Sequence, residues 1–196
     1  MPVSLLPSFL IYCFVCAASP GPANLCSLSA ALRYGRSAAL RQWRGLFIGF
    51  FIVSMGAVAV TCLLGAALEE YVNLLSWVGA AYILWMAWHT LRSSGDPAEE
   101  KTDAPSFRTG LLVQLTNVKV MVFCVTALTA YVLPYTDSFW ALLLTGLFLP
   151  FTGPMANLLW LFAGAALQKL FASHRRAVDL VMAAALALCA VSLVIH

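Results

Sequence analysis

Lys119 is a cation inside an apolar run that extends from about Phe107 to Val132. A charged side chain near the bilayer centre costs roughly 2.5–3.5 kcal/mol on insertion scales. Lys119 stands twelve residues past Phe107, too deep to snorkel easily to the interface. Such a residue usually faces a cavity and serves a ligand or a proton. It can bind a carboxylate or carry a proton, and the sequence leaves both roles open. Gln114 and Asn117 are three apart and share a helix face, where they can meet a ligand or hydrogen-bond between helices. Asn117 and Lys119 are two apart, so an ideal helix points them to different sides. Either the helix is distorted there or the two residues do different jobs.

A second cluster, Ser19-Pro20-Gly21-Pro22-Ala23-Asn24, lies inside an apolar run from Leu5 to about Leu32. Pro20 cannot donate to the Cys16 carbonyl, nor Pro22 to the Ala18 carbonyl, and both rings clash with the preceding turn. In hydrocarbon the freed backbone groups must be satisfied by protein or water. The half-helix that Ala23 and Asn24 begin would present free N–H groups, a ready site for an anion. Asn24 is then either a ligand-binding residue or a local cap. A third cluster, Pro150 and Thr152-Gly153-Pro154 followed by Asn157, reads as a hinge or a cavity wall. The candidate binding residues are thus Asn24, Gln114, Asn117, Lys119 and Asn157. The candidate hinge positions are Pro20, Gly21, Pro22, Pro150, Gly153 and Pro154.

These residues must be held by spanning helices. The 196-residue chain is 62% hydrophobic and 10% charged, against about 25% charged for a soluble domain. Six apolar segments, about 5–31, 45–68, 71–91, 107–132, 138–167 and 176–195, approach or exceed the roughly 20 residues needed to span. The start lacks the basic stretch and cleavage site of a signal peptide, so the first segment is expected to be retained. Short turns are expected at Glu69-Glu70 and at Pro134-Tyr135-Thr136-Asp137.

Arg33, Arg36, Arg41 and Arg44 follow the first segment; Arg92, Lys101 and Arg108 flank the loop after the third; Lys169, Arg175 and Arg176 follow the fifth. The eleventh basic residue is Lys119. The positive-inside rule therefore expects those three loops in the cytoplasm and both termini outside. The stretch 93–106 divides the chain into 1–92 and 107–196, with three segments on each side. An odd number reverses the second half. Ser8-Phe9 and Ser106-Phe107 occupy matching places, and eleven residues on from each Ser stand Ser19 and Asn117. The expected fold is an all-α membrane protein of six helices in two inverted three-helix repeats, with the first and fifth helices broken and the site at the repeat interface.

Several features carry less. Gly45-x-x-x-Gly49 reads as close helix packing. Trp77, Trp85 and Trp88 read as interfacial or packing aromatics, and Arg175 with Asp179 as a stabilising i, i+4 pair. His89 is a weak candidate for a proton group. All six cysteines lie in apolar runs. Cys13-x-x-Cys16 could be a redox pair, but buried cysteine is also a small hydrophobe. No nucleotide-binding loop or metal-ligand cluster is present, so no cofactor, metal or nucleic acid is expected. Small-residue faces such as Ala183, Ala187 and Ala190 would permit packing into a homo-oligomer.

Pro20-Gly21-Pro22-Ala23-Asn24 together with Asn117-Val118-Lys119 resembles the LysE/RhtB family of bacterial amino-acid exporters. Leu74-Leu75-Ser76-Trp77-Val78-Gly79-Ala80-Ala81-Tyr82 fits that family's third helix. Most of the family has proline where this chain has Val118. With Val125-Thr126-Ala127-Leu128 and Val132-Leu133-Pro134, the chain looks most like the cysteine and O-acetylserine branch. The resemblance implies export of a small amino acid from the bacterial cytoplasm through the inner membrane, coupled to the proton gradient, with Pro20, Gly21, Pro22, Asn24, Asn117 and Lys119 as motif residues. On that reading the substrate carboxylate meets Lys119 and the half-helix after Pro22, and Asn24, Asn117 and Gln114 take the amino group. Exporters of homoserine, threonine or leucine in the same family, a thiol–disulfide electron carrier, and a scaffold subunit are the alternatives.

Overall fold

The computed structural model describes residues 3–19, 21–68 and 105–174, with scattered helical positions among 77–88 and 176–191. The expected third and sixth segments fall largely outside the described residues. So do Pro20, the Glu69-Glu70 turn, most of the 93–106 loop, His89, Arg175, Asp179 and Cys189. Among the described residues the chain is helical, with no strand.

A short 3₁₀ turn, Val3–Leu5, leads into α1 (Leu6–Ala18). The chain breaks at Ser19, whose backbone is extended at φ −60°, ψ 142°. It resumes as α2 (Pro22–Leu68) at a bend of 48°. Pro22 opens this helix, where its missing N–H costs nothing. Inside α2, Gly35 adopts φ 81°, ψ 166°, the left-handed region open to glycine, and divides the element into two helices. Arg36, Arg41 and Arg44, expected in a loop, therefore sit on helix. The run from Tyr34 to Leu63 is long and apolar enough to span. The arginine side chains leave at its surface, where Arg36 stacks over Phe162 at 5.9 Å.

The chain returns as α3 (Phe107–Leu115), started by a reciprocal cap in which Thr109 N–H donates to Ser106 Oγ and Ser106 N–H to Thr109 Oγ1. After Thr116 and Asn117 it continues as α4 (Val118–Tyr131), bent 57° from α3. This is the sharper of the two bends, and it contains no proline. Thr116 Oγ1 donates back to the Leu112 carbonyl at 2.9 Å, and Asn117 leaves the helical region at φ −77°, ψ 92°. A tight turn at Val132–Tyr135 leads to α5 (Phe139–Phe148), a 3₁₀ turn at Leu149–Phe151 and α6 (Gly153–Ser173). The proline-rich cluster thus interrupts the fifth span as a local tightening, and Phe139–Ala163 still runs as one span-length unit. Two described helices are span-length, or four when each bent pair counts as one span.

α2 packs most closely on α3 and α6. At the α2–α3 crossing a methyl on Gly45 would run into the Phe107 carbonyl, and one on Gly110 into the Gln42 carbonyl. One on Gly49 would sit 2.7 Å from Gln114 Cβ. Gly45-x-x-x-Gly49 is thus a close-packing motif, as its spacing predicts. Between α1 and α4, Tyr12 stacks on Phe123 and Tyr131 at 5.3 and 5.4 Å, and Phe9 meets Tyr131 edge-on. Tyr12, Leu128 and Tyr131 are wholly buried. Large apolar side chains such as Phe14, Leu63, Trp140 and Leu159 are exposed on the outside, as a lipid-facing surface requires.

Candidate substrate site

The two breaks, at Ser19–Gly21 and Thr116–Asn117, face each other. Lys119 leaves the first turn of α4 and crosses to the first break. Its Nζ donates to Ser19 Oγ at 2.5 Å and to the Ser19 carbonyl at 3.2 Å. Those oxygens end α1, where the helix dipole is negative and favours a cation. Glycine at position 21 eases the crossing: an added Cβ would lie 3.2 Å from Nζ and 3.3 Å from Cδ, so the lysine would have to give by a few tenths of an ångström.

Every carbonyl from Val15 to Ser19 has a donor. Ser19 N–H reaches Val15, and Ser19 Oγ–H reaches Cys16 at 3.1 Å. Asn24 Nδ2 reaches Ala17 at 2.8 Å and Ser19 at 2.9 Å. Trp160 Nε1 reaches Ala18 at 3.2 Å. The two carbonyls that proline leaves without a partner, Cys16 and Ala18, are thus taken by a hydroxyl and an indole. Asn24 Oδ1 in turn accepts from Asn157 Nδ2, so both ends of the Asn24 amide are engaged within the protein. Asn24 is the cap of the break, and Asn157 fixes that cap from α6.

A small cavity of about 40 Å³ lies between the breaks, lined among others by Cys16, Gly21, Asn24, Gln114, Asn117, Lys119, Gly153 and Asn157. That is room for water, which needs roughly 10–15 Å³ on this measure. A wider pocket of about 400 Å³ adjoins it at Asn117 and Lys119, bounded by Pro22, Val113, Thr116 and Val118. Gln114 is 1% exposed, and its Oε1 has no hydrogen-bond partner among the described residues. Asn117 precedes α4 without capping it. Two half-helix starts, at Pro22 and Val118, contribute backbone N–H groups not used within their own helices. Among the described residues neither pocket is lined by an Asp or Glu.

All five candidate binding residues therefore line one cavity, together with Gly21 and Gly153. Pro22 lines the wider pocket. Pro150 and Pro154 are buried nearby, and the Pro154 carbonyl accepts from Trp43 Nε1 at 2.8 Å. Gly153 is a packing position as well as a candidate hinge, since a methyl there would enter the Phe50 ring. Sequence reasoning passed over Ser19, Trp160 and Gln42. Buried Gln42 joins Cys26 Sγ and Thr109 Oγ1, and it stood out only as an amide among arginines. Cys13, Cys16, Cys26, Cys62 and Cys124 are thiols. Among the described residues no group of His, Cys, Asp and Glu is placed to hold a metal.

Comparison with known proteins places this geometry in a family. The model of the LysE type translocator family matches residues 14–196. A cysteine/O-acetylserine efflux protein of Klebsiella pneumoniae is 34% identical over 196 residues, covering all of both chains. One of Escherichia coli O1:K1 is 35% identical over 97% of this chain and 98% of its own. One of Salmonella choleraesuis is 33% identical over 95% and 96%. No solved structure matches. With a family match that takes in both helix breaks and the lysine between them, the chain belongs to the LysE type translocators.

Proposed function

We propose that the protein exports a small neutral amino acid or derivative, with cysteine and O-acetylserine as the leading substrates, from the bacterial cytoplasm across the inner membrane in exchange for protons. The observation that carries this reading is Lys119, a membrane-depth cation held between two helix breaks in a cavity with uncommitted amide groups. The relatives' names supply the substrate class.

In this mechanism the substrate carboxylate is met by the Lys119 ammonium and by the free N–H groups at the Pro22 half-helix. The amino group is met by Gln114 Oε1, which lacks an internal partner, and by Asn117. Asn24 and Asn157 hold the wall. The halves 1–92 and 107–196 act as inverted repeats that rock about the site, with both termini periplasmic. Breaks that fall at the matching positions Ser19 and Asn117, bent by 48° and 57°, support that symmetry.

The test is efflux of radiolabelled cysteine and O-acetylserine from cells expressing the protein, with leucine, threonine and homoserine as competitors. Export of the first pair alone supports the reading. Export of a competitor instead keeps the translocator and changes its substrate. No efflux of any amino acid defeats the proposal.

A further inference from the structure

Ser19 lies outside the residues assigned to substrate above, yet it is what the site's cation touches. Its hydroxyl and carbonyl oxygens receive the Lys119 ammonium at 2.5 and 3.2 Å, at the negative end of α1. The Ser19 oxygens, beside the cavity that Lys119 lines, are therefore already an ammonium socket, filled by the protein's own amine. Lys119 lines both the small cavity and the adjoining pocket of about 400 Å³, so a carboxylate seated in the wider space can draw its ammonium off Ser19.

We infer that Ser19 is the ammonium-binding residue of the site, and that the Lys119–Ser19 contact is the collapsed, empty form of a slot that a zwitterion enters. The inference rests on the export reading. The substrate carboxylate takes the Lys119 ammonium and draws it off Ser19, and the substrate ammonium takes the oxygens so released. Gln114 Oε1, buried and unpartnered in the same cavity, adds a second acceptor. Each charge then keeps a partner throughout, which a pocket with no carboxylate among its described residues needs at low dielectric. The slot selects ligands that carry a carboxylate and an ammonium close together. A carboxylate without an amine satisfies Lys119 and leaves Ser19 empty. An amine without a carboxylate finds the Ser19 oxygens still held by Lys119 and is repelled by its charge.

The experiment is calorimetric binding to purified protein of cysteine under reducing conditions, of its amine-less analogue 3-mercaptopropionate, and of its carboxylate-less analogue cysteamine. Wild type is expected to bind cysteine best and cysteamine not measurably. Ser19→Ala should weaken cysteine by about tenfold, one charge-assisted hydrogen bond, while leaving 3-mercaptopropionate as tight or tighter. Ser19→Thr, which keeps the hydroxyl, should restore the cysteine value. Ser19→Cys keeps the shape with a weaker acceptor and should show the same split in smaller measure, which serves if the alanine variant does not fold. Equal weakening of both ligands, as a merely structural role would give, overturns the inference, and so does unchanged cysteine binding. A folded wild-type protein that binds neither cysteine nor O-acetylserine overturns the export reading and the Ser19 assignment with it.

Discussion

The two helix breaks solve one problem in opposite ways. At the first, donors from three elements converge on α1: Ser19 and Asn24 from the adjoining chain, Trp160 from α6 and Lys119 from α4. At the second, the bonds are made by the segment itself. Thr116 N–H and Oγ1 return to Leu112, Asn117 N–H returns to Gln114, and Val120 and Met121 N–H return to Asn117. The polar side chains of the second break are left for other use: Lys119 crosses the cavity, and Gln114 Oε1 has no partner. A proline break frees carbonyls that must be filled from elsewhere, and so becomes a braced joint. A break made by Thr116 and Asn117 satisfies itself and can lend its side chains. The lesson is that the first break should answer to mutation in stability and the second in transport.

Substitutions can separate those two responses. The largest effect is expected for Lys119→Met, which should reduce efflux to background while membrane insertion, read by fractionation, is unchanged. Wild-type export by that variant would remove the lysine from the centre of the mechanism. Asn24→Ala strips the bonds to Ala17 and Ser19 and orphans Asn157. We expect a loss of about 2 kcal/mol, seen as a clear fall in melting temperature, and a normal melt would show that the brace is dispensable. Asn117→Ala should do the reverse, weakening apparent affinity roughly tenfold with little change in melting. Gln114→Met should leave stability level or raise it by up to about 1 kcal/mol, because an unpartnered buried oxygen is removed, while efflux falls. A destabilised Gln114→Met protein would mean that the amide serves the fold. The smallest effect is expected from replacing all six cysteines. Export should persist, and its loss would favour a thiol carrier.

What could be read in advance was what costs free energy to keep. Lys119 in an apolar run, two prolines within three residues and Gly45-x-x-x-Gly49 each announce a physical demand, and the structure meets each of them. Ser106, noted in the sequence only as the match of Ser8, proves to cap α3. The partners that meet these demands were not legible, because they come from far along the chain. Ser19 and Lys119 are 100 residues apart, and Trp160 and Ala18 are 142 apart. Asn24 showed both of its roles without showing which would hold, since a cap and a ligand need the same amide. The sharper bend was visible only as the mismatch of Asn117 and Lys119 on an ideal helix, for Thr and Asn break helices less openly than proline. Arg36, Arg41 and Arg44 looked like a loop because charge is a feature of both loops and helix surfaces.

The stack of Phe9, Tyr12, Phe123 and Tyr131 has a bearing on the idle protein. It fills the space between α1 and α4 on one side of the cavity, with Tyr12 and Tyr131 at 0% exposure. Proton conduction needs a file of waters or titrating groups, and this aromatic packing leaves no room for a file. On the export reading, the unloaded protein is thereby closed on that side to such a file.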